Sequence, residues 1–92
     1  MDESTILKML QADLDISTDK KNDYLLSLIK AARDYIAREG ITLTDSHGDG
    51  MLVEMYAAYL YRKRRESNPV MPRMLRWALN CRLMGGEVTA NG

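Results

Sequence analysis

Apolar positions along the 92-residue chain recur at helical spacing in four stretches, and no stretch alternates like a strand for more than a few residues. The first is "STILKMLQADL". Ser4 is its predicted N-cap, and Ile6, Leu7, Leu10 and Leu14 follow on one face, ending near "DLDISTD". The second has the clearest periodicity. Tyr24, Leu25, Leu28, Ile29, Ala32, Tyr35 and Ile36 fall within an arc of about 140°, taking roughly 100° per residue. Lys30, Arg33, Asp34 and Arg38 face away from them. Ser17, Thr18 and Asp19 are the predicted caps, and Gly40 is the predicted stop.

The third stretch, "MLVEMYAAYLYRKRRE", is apolar nearly all round. Leu52, Val53, Tyr56, Tyr59 and Leu60 make one face. Met51, Met55 and Ala58 extend it on one side, and Ala57 and Tyr61 on the other. Glu54 alone interrupts the ring, and Asp49 is the predicted N-cap. A helix apolar on every side must be covered on every side. The second helix covers part, and the remainder needs either the two short helices or another subunit. Asn68 and Pro69 predict its stop. Pro72 then predicts the first turn of a fourth helix, "PRMLRWALNCRLMG". Met74, Leu75, Trp77, Ala78, Cys81 and Met84 form its apolar side, opposite Arg73, Arg76 and Asn80. Arg82 projects into that apolar stripe, so its stem snorkels outward or its charge meets an acid on a partner.

The predicted fold is therefore all-α: a compact bundle of about four helices, two longer central ones flanked by a short N-terminal and a C-terminal helix. One domain spans residues 1–86, closed by Gly85 and Gly86, and residues 87–92, "EVTANG", form a polar tail. A chain this short has a marginal private core, which makes oligomerisation relevant.

Charge changes the picture more than composition does. The formal net charge is zero, from 13 basic and 13 acidic residues. Residues 1–61 nevertheless carry 11 acids against 6 bases, and residues 62–92 carry 7 bases against 2 acids. Such a division suits head-to-tail contact between copies, and equally a dipolar monomer. The run Arg62, Lys63, Arg64 and Arg65 has three readings: a solvated helix end favoured by the helix dipole, a contact to nucleic-acid phosphates, or a contact to an acidic neighbour. Consecutive helical residues diverge, so the four cannot share one partner.

Chemistry is sparse. One histidine (His47) and one cysteine (Cys81) stand in different kinds of segment with no flanking catalytic motif, and Cys81 reads as a packing residue. "DSHGDG" lacks the spacing and closing glutamate of a calcium loop. No phosphate-binding glycine loop and no apolar run of membrane-spanning length is present. The expectation is a non-enzyme without metal, cofactor or membrane partner. The acidic start and lone cysteine suggest the cytosol. Seven methionines, five of them in the second half, suit irregular packing or adaptable interfaces.

"DISTDKKNDYLLSLIKAARDYIAREG" followed by "MLVEMYAAYLYRKRRE" resembles the head–tail connector family of tailed bacteriophages and prophages. The matching positions are Leu28, Ile29, Ala31, Ala32, Tyr35 and Ile36, then Leu60, Tyr61 and the run to Glu66, with "MPRMLRWALNCRLMG" as the closing segment. The resemblance spans roughly residues 5–85. The loop after Gly40 departs from the family pattern, lacking its usual glycine-arginine-proline start, and the basic run before Glu66 is unusual. The resemblance implies a structural, DNA-packaging protein that forms a homo-oligomeric ring beneath the portal. The ring would extend the DNA channel and join the next head-completion or tail protein, in host cytoplasm during assembly and then at the virion's head–tail junction. DNA would pass without sequence-specific contact. The candidate subunit interface is then Met51, Glu54, Met55, Ala58, Tyr61 and Arg82. Arg62, Lys63, Arg64 and Arg65 are candidates for contact with channel DNA or a neighbouring subunit. The alternative is a small helix-turn-helix-like DNA-binding regulator using Arg73, Arg76 and Arg82.

Overall fold

A computed structural model describes residues 1–67 and 70–84. Its four helices are α1 (Glu3–Asp13), α2 (Asn22–Arg38), α3 (His47–Lys63) and α4 (Arg73–Leu83), and the described residues contain no strand. The predicted all-α architecture is what the chain adopts. The expected stop at Asn68 and Pro69, the domain end at Gly85 and Gly86, and the polar tail 87–92 lie outside the described residues.

The helix starts differ from those expected. Asp2, not Ser4, caps α1, its side chain accepting from the Thr5 amide at 2.8 Å. α2 begins later than Ser17, Thr18 and Asp19 suggest, at Asn22, and no side chain caps it. Instead the Asp19 carbonyl accepts from the Asn22 amide at 3.1 Å, so a turn precedes the helix. α3 begins earlier. Ser46 caps it, accepting from the Asp49 amide at 3.1 Å, and this frees the Asp49 carboxylate for other work. Pro72 sits at the N-cap of α4, one residue before the first turn.

The stops of α1 and α2 use left-handed residues. Gly40 (φ 96°) ends α2 as expected. α1 ends on Asp15 (φ 59°). The Asp15 amide donates to Ala12 O at 3.2 Å, and the Ile16 amide donates to Gln11 O at 2.8 Å. These are the two bonds of a Schellman turn, formed here on an aspartate where glycine is usual.

α3 is the hub. α1, α2 and α4 all pack against it, and α1 also packs on α2. The core joins Ile6 and Leu10 of α1, Leu25, Ile29, Ala32 and Ile36 of α2, Val53 and Ala57 of α3, and Leu75 and Leu79 of α4. The all-round apolarity of α3 is thus used within one protomer, by the first of the two covers considered above. Polar ties fix α1 on α2: Arg33 pairs with Glu3 at 2.9 Å, and Gln11 donates to Asn22 at 2.6 Å. α4 leans mainly on α3 and keeps much of its own surface outside.

Candidate functional site

The structure places the six expected interface residues largely inside the protomer. Glu54, Ala58 and Tyr61 are buried, Met55 is half-buried against the core, and Met51 is half-buried. Arg82 meets an acid, but on its own chain. Its Nε donates to Asp49 Oδ1 at 2.8 Å and its Nη2 to Asp49 Oδ2 at 2.9 Å. The same Nη2 donates to Thr42 O at 2.6 Å. Glu54, Ala58, Tyr61 and Arg82 therefore do not compose an open face. Their environment looked unfilled from sequence because three separate elements fill it.

Two carboxyls on α3 have opposite fates. Asp49 accepts from Arg82, from the Thr44 amide at 2.7 Å and from the Thr44 hydroxyl at 2.8 Å. The Arg82 guanidinium, aided by Thr44, holds its pKa down at about 2 against the cost of burial. Glu54 has no such cation against it. Burial first, and then the neighbouring Asp13 carboxyl, push it up to about 8. Asp13 is correspondingly lowered, chiefly by its hydrogen bond with Glu54 and then by Arg62, whose Nη2 lies 3.3 Å away. Burial and the Asp13 carboxyl thus favour the protonated form of Glu54. Its Oε2 is buried without a hydrogen-bond partner.

The basic run divides, as helical geometry requires. Arg62 turns to Asp13. Lys63 lies over the Tyr59 ring, 5.9 Å from its centroid. Arg64 lies over Tyr24 and Arg65 over Tyr61, at 5.5 and 4.5 Å. Lys21, from the turn before α2, reaches the Tyr61 hydroxyl at 3.0 Å. Sequence reading missed Lys21 and Tyr24 as companions of the run. The only signal was that α2 and α3 are antiparallel neighbours, which brings the start of one to the end of the other.

The open apolar surface lies on α4. Leu75 and Leu79 face the core, while Met74, Trp77 and Met84 are exposed at 72%, 65% and 72%. Val70, just before the helix, is exposed as well. At about 100° per residue the exposed stripe and the buried pair occupy different sides of the helix. The expected single apolar side is really two, and only Leu75 and the half-buried Ala78 of the expected set turn toward the core. Of the three arginines on this helix, Arg76 lies 3.4 Å from Glu39 and Arg82 is clamped to Asp49. Beside the stripe, Trp77, Ala78 and Cys81 border a shallow groove with Leu52 and Gly48.

Among the described residues no three potential ligands gather as a metal site, and no helix is long and apolar enough to cross a membrane. No family model, curated protein or solved structure matches the chain.

Proposed function

We propose that the protein is a structural component of a tailed bacteriophage or prophage. In this reading it forms a head–tail connector ring that docks under the portal and extends the DNA channel toward the tail. The observation that carries the reading is the outer stripe of α4. Five of the six large apolar residues that stand exposed among the described residues, Val70, Met74, Trp77, Leu83 and Met84, lie on or beside this helix. Contiguous exposed apolar surface of this kind marks association. It belongs to the basic part of the chain, with the exposed Arg73 at its edge. The remainder of the chain is acidic, and Asp15, Asp19, Asp23 and Asp34 are exposed on it. A second copy therefore offers charge complementary to the surroundings of the stripe, in a head-to-tail order that closes into a ring. The resemblance of the helical sequence pattern to that of connector proteins supports the same reading.

The interface moves accordingly, from the buried positions of α3 to Met74, Trp77 and Met84. Partners are further copies, the portal, and the next head-completion or tail protein. DNA passes through the assembly without base-specific contact. Electron microscopy of the chain mixed with portal rings from the same genome tests the reading. A closed layer of added density beneath the portal is expected. Portal rings unchanged by an excess of the chain would overturn it.

A further inference from the structure

The C-terminal end of α3 and the turn before α2 enclose a small surface pocket lined by Lys21, Tyr24, Arg64 and Arg65. Three of these four residues are cations. None of the three has a carboxylate within ion-pair distance among the described residues, although five ion pairs form elsewhere. Bringing three like charges together without an acid is unfavourable unless something holds them. Two tyrosines do so. Arg64 lies over the Tyr24 ring and donates to its hydroxyl at 3.0 Å. Arg65 lies over the Tyr61 ring and donates to its hydroxyl at 2.9 Å, and Lys21 donates to that same hydroxyl at 3.0 Å. The rings themselves sit 6.2 Å apart, so the two cation–aromatic pairs form one cluster.

Each ring fixes a cation without neutralising it, which is pre-organisation for an anion. The Tyr61 oxygen accepts from two cations and keeps its own O–H as a donor. The nearby Lys21 ammonium, through its hydrogen bond, also holds this phenol below its ordinary pKa, the mark of a positive local field. The helix end contributes the negative pole of its dipole, so the attraction comes from side chains alone. A carboxylate is satisfied by one guanidinium fork, whereas donors converging from two arginines and a lysine suit an anion with more oxygens. We propose that the pocket between Lys21, Tyr24, Arg64 and Arg65 binds a phosphate oxyanion. The phosphate is either a phosphodiester of nucleic acid or a free phosphate group. The inference needs no ring, because every contributing residue belongs to one protomer. It therefore stands or falls separately from the connector reading, and it is tested on the free chain.

The test is a titration of the full chain with inorganic phosphate at constant ionic strength, followed by amide and arginine side-chain NMR. Saturable shifts are expected at Lys21, Tyr24, Arg64 and Arg65. The double substitution Arg64→Gln and Arg65→Gln should weaken binding at least tenfold, while Lys30→Gln, which removes an exposed charge elsewhere on α2, should leave it unchanged. Lys21→Met, which leaves both arginine–tyrosine pairs in place, provides a second variant, with melting curves confirming that it folds. Shifts that do not saturate, or equal weakening by Lys30→Gln, would overturn the proposal. A short random-sequence DNA duplex distinguishes the sources. Duplex binding that perturbs the same residues, with a salt slope reduced by about 2 in the double variant, assigns a backbone phosphate. Phosphate binding that the duplex leaves untouched assigns a free phosphate.

Discussion

α3 and α4 are both rich in apolar residues, yet they spend them oppositely. α3 looks over-supplied, and its surplus is consumed by α1, α2 and α4 within the protomer. α4 looks like an ordinary amphipathic helix, and with the residues flanking it carries most of the large apolar surface that remains in water among the described residues. The amount of apolar sequence on a helix therefore does not say how much of it stays in water. What decides that is the number of neighbours the helix has. The central helix of a four-helix domain has three, while a terminal helix resting chiefly on one has an outer side left over.

The largest expected effect comes from placing a charge in α3. Ala58→Glu buries a carboxylate where Ala58 is 2% exposed, and should cost on the order of 3–5 kcal/mol, enough to unfold the free chain in a thermal melt. Were Ala58 an intersubunit residue, the isolated chain would fold normally and lose only assembly. Arg82→Met cuts the tie between the two helices and leaves Asp49 buried and unpaired. A loss of about 3 kcal/mol is expected from denaturant titration at neutral pH. Acidification should shrink the difference between this variant and wild type. Asp49 has a depressed folded pKa, so its contribution is present above the ordinary value of 3.8 and is lost as pH falls toward about 2.

Glu54 gives the opposite sign. Its folded pKa is raised from 4.5 to about 8, so its contribution is full below about pH 4.5 and is lost progressively as pH rises to about 8. Glu54→Gln should flatten that decline, making the variant relatively more stable at pH 9 than at pH 4. A wild-type stability that is level across this window would show that Glu54 is ionised in the folded chain. The smallest effect on stability belongs to α4. Met74→Ser with Trp77→Ser removes two exposed side chains and should shift unfolding by no more than about 1 kcal/mol.

The four helices were legible because each carries an apolar stripe at helical period, and α2 carries it without ambiguity. Starts and stops were less legible. Asp2, Ser46 and Ser4 are all competent caps, and the choice among them depends on where neighbouring helices allow the first turn. The stop at Asp15 was hidden because a Schellman turn is usually announced by glycine. The site was legible only in part. The basic run was visible and its divergence followed from helical geometry, but Lys21 and Tyr24 are remote from it in sequence. Arg82 stood out as a charge in an apolar stripe. Its partner Asp49 was obscured by being taken for the cap, when Ser46 had already filled that role. The outer stripe of α4 was visible as residues but merged with the inner one. Met74, Leu75, Trp77 and Ala78 are close enough in projection that sequence alone does not say where the core side ends.

The central claim is that α3 is closed within a protomer and that assembly runs through the outer side of α4. Light scattering of the free chain, with and without portal rings, tests it most directly when wild type is compared with the Met74→Ser, Trp77→Ser variant. The account predicts that both chains scatter alone as monomers of 10.5 kDa, and that only wild type adds mass to portal rings. Wild type that adds no mass, or a variant that adds as much as wild type, would contradict it.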